Sequence, residues 1–278
     1  MTINKLIIEI LLILLAAASP LAAQNDTKEQ LVVPLSNPGK PGTLHVGLIN
    51  GSIHVTGYSG KDVVIDAVSE ARKEKKDDNR NDQAANGMKR ISMNNSLDVS
   101  AEEKNNTVNV NANSMKIPVN LTIKVPQLFS LRVSTINNGD IVIDNVNGDI
   151  VVENVNGAIQ LNNVSGSAVA NTVNGAVKAT FKSVNAEAPM AFSTLNGNVD
   201  VTFPATTKIN VKLKSDQGEI FTDFDIDVDK SQPKVNRSSQ NGMYRVNVED
   251  WVQGKVNGGG REIMMKNMHG NIYIRKAK

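Results

Sequence analysis

The residues able to do chemistry are few and regularly placed. Asp140, Asp144, Asp149 and Glu153 fall four to five positions apart in a run rich in Asn and Gly. Carboxylates at the corners of a repeat can line up to hold Ca²⁺, as in nonapeptide β-rolls with paired glycine loops and an Asp in each rung. Here the units read NGDI twice and then NGAI, SGSA and NGAV, so the acidic series stops after two rungs and reads as solvated corners. His45 and His54 are nine positions apart and His269 is remote. A metal site needs at least three converging ligands, and these three read as ordinary strand residues. Lys178, Lys182, Lys208, Lys212 and Lys214 are spread over several units, with no Arg-Lys-Asp cluster of the kind a polysaccharide lyase needs. No nucleophile elbow is present. The absence of Cys removes thiolate metal sites, disulfides and a lipoprotein anchor. The sequence therefore assigns no catalytic, cofactor-binding or metal-binding residue, implies no cofactor, and predicts a protein that is not an enzyme.

The elements that would position any such residue are repeats. Gly139, Gly148, Gly157, Gly166 and Gly175 recur with a period of nine. The units are VNGDIVVEN (Val146–Asn154), VNGAIQLNN (Val155–Asn163), VSGSAVANT (Val164–Thr172) and VNGAVKATF (Val173–Phe181), led in by INNGDIVIDN. In each unit the apolar residues at places five and seven share one face of an extended strand. Gly after Asn or Ser marks a corner where the chain turns or passes close to a neighbour. A Gly every nine residues among Val, Ile and Asn opposes helix. Asn138, Asn147, Asn156 and Asn174 are expected to form a structural ladder if the units stack.

Two architectures fit this pattern. Like units stacked on like give a β-solenoid, or parallel β-helix-like stack of short strands, with two NGDIxV nonapeptides making one coil of about 18 residues. Alternatively each Asn-Gly is a hairpin turn and the units form an antiparallel β-meander or sandwich. The recurrence of the corner valines 146, 155, 164 and 173 favours the solenoid.

Around this core the sequence predicts a signal peptide at 1–23, where Lys5 precedes the apolar run Ile10–Ala18 and Ala22-Ala23 suit cleavage. A polar, Pro-rich lead-in at 24–42 reads as an extended linker or edge. The β-strand-repeat domain spans 43–278, with a charged insert at 69–90 and the regular repeat core at 136–203. Lys104-Asn105-Asn106 reads as the turn between two strands. Later units appear at Leu195–Val201 and Asp216–Ile220, and Met268–Ile274 is expected to close the array. A net charge of +2 with mixed signs speaks against nucleic-acid binding. No apolar stretch beyond the leader reaches membrane length, which predicts no integral span after signal cleavage. Aromatic residues make up only 4% of the chain, which argues against a stacking platform for sugars.

The order of these pieces carries a resemblance. An early NGSIHV (Asn50–Val55), an alternating strand ending in VP (Leu121–Pro126), LRVST before NGDIVI, the nonapeptide units and a late GGG…HGNIYI recur together in the bacterial β-strand-repeat "putative adhesin" family, domain of unknown function 4097. The chain resembles that family over about Thr43–Lys276 and departs from it in the charged insert. The resemblance implies an exported, all-β solenoid-like protein of poorly defined biochemical role, and brings no catalytic motif. It predicts an extended surface, adhesin-like or serving as a cell-envelope scaffold, at a periplasmic or extracellular location. The expected partners are a cell-surface protein or polysaccharide, and further copies of the chain through its end strands. A glycan-acting β-helix enzyme, lyase-like, is the alternative reading.

Overall fold

A computed structural model describes residues 27–69, 97–115, 117–185, 187–229, 234–240, 243–249 and 251–278. The leader 1–23 and residues 70–90 of the charged insert lie outside the described residues. All regular structure among the described residues is β. The chain begins with β1 (Thr27–Pro34), β2 (Gly42–Asn50), β3 (Ile53–Tyr58) and β4 (Asp62–Ser69). There follow β5 (Val99–Lys104), β6 (Thr107–Ala112), β7 (Val119–Pro126), β8 (Phe129–Asn137) and β9 (Ile141–Asp144). The middle holds β10 (Asn147–Asn154), β11 (Ile159–Asn174), β12 (Val177–Val184), β13 (Met190–Asn196) and β14 (Val199–Phe203). The last third comprises β15 (Ile209–Gln217), β16 (Ile220–Thr222), β17 (Ile226–Val228), β18 (Lys234–Gln240), β19 (Met243–Glu249), β20 (Val252–Val256), β21 (Arg261–His269) and β22 (Ile272–Lys276).

Apart from the β18–β19 hairpin, the strands form two layers. One runs β5-β6-β2-β8-β10-β11-β13-β21-β15-β20-β17. The other runs β1-β4-β7-β3-β9-β11-β12-β14-β22-β16. Pairing is parallel through the middle of both and antiparallel only near their ends. Strand β11 passes from the second layer into the first, so the two are continuous. Alternating side chains of both layers meet in one apolar cluster. Phe181 of β12 meets Phe192 of β13 edge-on at 6.1 Å between centroids, across the two layers.

Registers show how the repeats are used. Ile141 pairs with Ile159 and Ile159 with Val177, each step being 18 residues. The nine-residue spacing does not map onto one strand and one corner throughout, because β11 runs for 16 residues without a break. Asn-Gly does not reverse the chain as it would in a hairpin. Asn156, Asn174 and Asn196 keep ordinary φ, whereas the turn at Asn105 and Asn106 has φ of 54° and 60°, the left-handed pair a two-residue hairpin requires. That hairpin joins β5 to β6 where the sequence placed a turn.

The coils do not stack in chain order. Coil β2–β3 sits between β6–β7 and β8–β9, and coil β21–β22 sits between β13–β14 and β15–β16. The unit Met268–Ile274 therefore does not close the array; it lies inside it, with Ile272 between Val199 and Ile220. The physical reason is that any unit presenting Ile or Val at the same two inward places fits on any other. Coils from near the start and near the end of the chain are thereby held between strands from its middle. The outermost strands are β5 and β17 in the first layer and β1 and β16 in the second.

Those ends are blunt. Strand β5 finishes in Glu102, Glu103 and Lys104, β16 and β17 have three residues each, and β1 carries Lys28, Glu29 and Pro34. Short, charged or proline-bearing outer strands are poor templates for further pairing. Within the 24–42 lead-in, β1 is an edge strand paired antiparallel to β4.

At one corner a polar spine ties coil to coil. Thr135, Thr172 and Thr194 donate through Oγ1 to the carbonyls of Gly51, Gly157 and Gly175 in the neighbouring coil, at 2.8–2.9 Å. Asn154 and Asn267 donate through Nδ2 to Gly139 and Gly197, and Ser215 to Gly270. The glycines are required here because a Cβ on one would press into the glycine backbone of the next coil. Outside this spine runs an amide ladder: Asn196 donates to Asn174, Asn174 to Asn156, and Asn156 to Asn137. Of the four asparagines expected to stack, Asn156 and Asn174 do. Asn138 instead reaches Asn50, and Asn147 begins β10 at the opposite corner.

Candidate functional site

Outward side chains of the first layer fall into rows set by the registers. One row passes from Asn109 to His45, Arg132 and Val151, and the next from Asn111 to Gly47, Ser134 and Glu153. Gly47 leaves a gap where its neighbours carry side chains, and this opens a cleft of about 350 Å³ over β2, β6, β8 and β10. Ligand clefts start at about 300 Å³.

The polar groups around it are unlike one another. His45 Nδ1 lies 3.1 Å from Asn109 Oδ1, which fixes the ring at one wall. Arg132 is exposed and makes no ion pair among the described residues. Glu153 stands exposed two rungs from Gly47, with Ser134 between them. An unpaired guanidinium offers a planar fork of donors suited to a carboxylate, and the amide, hydroxyl and carboxylate beside it can bond hydroxyl groups.

The residues weighed from the sequence are dispersed. His54 faces outward on the second layer, where its Nε2 meets Asp144 Oδ2 at 2.5 Å. His269 sits at the corner in register with Asn196 and Gln217. Among the described residues no group of three His, Asp or Glu side chains is placed to hold a metal ion. The corner acids bond to the next coil: Asp140 accepts from Ala158 N at 2.7 Å, Asp144 from Asn162, and Asp149 from Ser167. Of these acids only Glu153 reaches the cleft, which His45 also lines. Lys212 and Lys214 approach the Trp251 ring at 4.9 and 6.0 Å, Lys182 donates to Asn145, and the five lysines form no common site.

Sequence reasoning passed over Gly47, Asn109 and Arg132. The one local signal was Gly47 inside the strand pattern LHVGLI, since a glycine within a strand often marks a close approach. Scarce aromatics also gather where the sequence showed none together. Phe221 stacks on Tyr273 at 5.3 Å, beside Arg275, which donates through Nε to Asp200 at 2.7 Å. That bond raises the Arg275 pKa above its ordinary value.

The family model described as Toastrack DUF4097 matches residues 135–257, so the family read from the sequence is the one found, over a narrower range. No curated protein matches the chain. Among solved structures, a putative cell adhesion protein from Clostridium sporogenes aligns with a TM-score of 0.49 and 11% identity, covering 91% of this chain and 100% of that one. A putative adhesin from Bacteroides fragilis aligns with a TM-score of 0.31 and 11% identity, covering 89% and 97%.

Proposed function

We propose that this chain, with its Toastrack match over residues 135–257, is an exported, non-enzymatic protein that presents an extended β surface and binds a cell-surface polysaccharide. The leader read at 1–23 takes it out of the cytoplasm, and the NGDIxV nonapeptides build the rigid surface. The cleft over β2, β6, β8 and β10 engages an acidic sugar unit, with Arg132 on the carboxylate and Asn109, Ser134 and Glu153 on hydroxyls. The observation that carries the reading is Arg132, without an ion pair among the described residues, in a cleft left open by Gly47. Binding is favoured over hydrolysis because most glycoside hydrolases use a pair of carboxylates, and among the described residues this cleft is lined by one, Glu153.

The test is titration of purified protein with uronate-containing oligosaccharides and their neutral counterparts. Binding of the acidic series alone, lost in Arg132→Ala, is the expected result. Equal binding of both series, or an Arg132→Ala variant indistinguishable from wild type, sinks the assignment. Protease treatment of intact cells separately tests location: degradation supports a surface adhesin, and protection until the envelope is opened supports a periplasmic scaffold.

A further inference from the structure

A second feature lies on the amide-ladder corner. Two units make one coil, so the corner apolar residues alternate between the two ends of the coil section. Val146 and Val164 at one end are buried, whereas Val155 and Val173 at the other are 37% and 38% exposed. The exposed residues continue in both directions. By register Ile49 stands beside Ile136, then come Val155, Val173, Leu195 and Met268, all between 37% and 45% exposed. Six aliphatic side chains thus form one unbroken ridge, roughly 24 Å long at ~4.8 Å per strand. Scattered exposed aliphatics are ordinary on a soluble protein, but a contiguous row marks an interaction surface.

The flanks of the ridge point to its occupant. On one side is the uncharged amide ladder of Asn137, Asn156, Asn174 and Asn196. On the other, along the rungs, the outward residues run Gly47, Ser134, Glu153, Asn171, Ser193, Lys266 and Lys214. This row is acidic at its third rung and basic at its sixth and seventh. A twofold axis across the ridge, midway between the Val173 and Leu195 rungs, sets a second copy antiparallel to the first. Rung three then meets rung six, so Glu153 of each copy faces Lys266 of the other, and the two amide ladders face each other. The ridges share one repeat distance, so Val155, Val173, Leu195 and Met268 of one copy interdigitate with Met268, Leu195, Val173 and Val155 of the other, and Ile49 and Ile136 extend past the overlap. A parallel arrangement would instead set each charged row against an amide ladder and pair no charges.

We propose that the Val155, Val173, Leu195 and Met268 rungs of this ridge form an isologous, antiparallel dimer interface between two copies of this chain. The contact is side to side and leaves the end strands free. It does not depend on the sugar-binding reading, because its readout is mass.

The test is sedimentation velocity of the purified protein over a concentration series, with circular dichroism to confirm folding. A closed monomer–dimer equilibrium is expected for wild type, and a folded monomer for Val155→Lys combined with Val173→Lys. Glu153→Lys alone and Lys266→Glu alone each replace two attractive contacts by two repulsive ones, and each should weaken the dimer roughly tenfold. Combining the two substitutions should restore it. A wild-type monomer at every concentration overturns the proposal, and so does an open series of larger species, which would indicate end-strand pairing. Failure of the charge-swapped pair to recover above either single variant overturns the antiparallel arrangement. Should the lysine ridge variants lose their folded spectrum, the charge-swap series decides alone.

Discussion

Gly175→Ala tests the corner directly. A Cβ on Gly175 would lie 2.5 Å from the carbonyl carbon of Gly157, closer still to its oxygen, and 2.9 Å from Ala158 N. These are backbone atoms of the adjacent coil, so no side chain can swing away, and the coils must part by on the order of 1 Å to reach ordinary contact. Two hydrogen bonds bridge this gap: Gly157 N to Asn174 O and Thr172 Oγ1 to Gly157 O, both 2.9 Å. Weakening both removes about 2 kcal/mol, at roughly 1 kcal/mol each. The forced displacement adds about 1–3 kcal/mol as overpacking does in a core. The expected loss is therefore about 3–5 kcal/mol, read as a lower urea midpoint at unchanged m-value. Gly258→Ala is the control: its φ is 86° and a Cβ there meets nothing within 4 Å, so only the left-handed penalty of about 1–2 kcal/mol applies. Gly175→Ala no more destabilising than Gly258→Ala would refute the close-approach account.

Three further outcomes follow from the same geometry. Asn154 and Asn267 occupy the spine position that Thr fills in other coils, and each buries an Oδ1 without a hydrogen-bond partner among the described residues; Asn267→Thr should raise stability by about 1 kcal/mol, and a drop in melting temperature would contradict this. Glu103 accepts hydrogen bonds from Ser36 N and Oγ and from Asn106 N, which hold its pKa below the ordinary glutamate range. A depressed folded pKa means the contribution is complete above the unfolded value of ~4.3 and is lost as pH falls through the folded value. The stability gap between wild type and Glu103→Gln should hold at neutral pH and close as pH falls below the ordinary glutamate range, and a gap that widens on acidification would reverse the sign. Thr194→Val keeps the shape but leaves the Gly175 carbonyl without its 2.8 Å donor; a loss of about 1–3 kcal/mol in chemical denaturation is expected, and a neutral result would show that the spine is dispensable.

Much of the architecture was legible because it is local. Gly at each corner, Ile or Val at two inward places and Asn before the turn were visible in Ile136–Phe181, and the 18-residue registers follow from that period. The position of the first and last coils was not legible. Ile53 lies against Ile141 from 88 residues away as readily as Ile159 does from 18. Inward residues of the same shape give no local sign of which neighbour is chosen.

The cleft and the ridge were hidden for related reasons. Arg132, Asn109 and His45 belong to three separate segments, and only stacking β6, β2 and β8 side by side makes them neighbours. Val146 and Val155 hold the same place in identical VNG contexts, yet one is 1% exposed and the other 37%. What the sequence by itself determined was an all-β chain of alternating strands with glycine where coils pass close together, because alternation and glycine act over a few residues. Which corner faces water, which coil lies between which, and which side chains share a cleft were decided only when the coils closed around a common core, because those relations depend on distances in space that chain order does not contain.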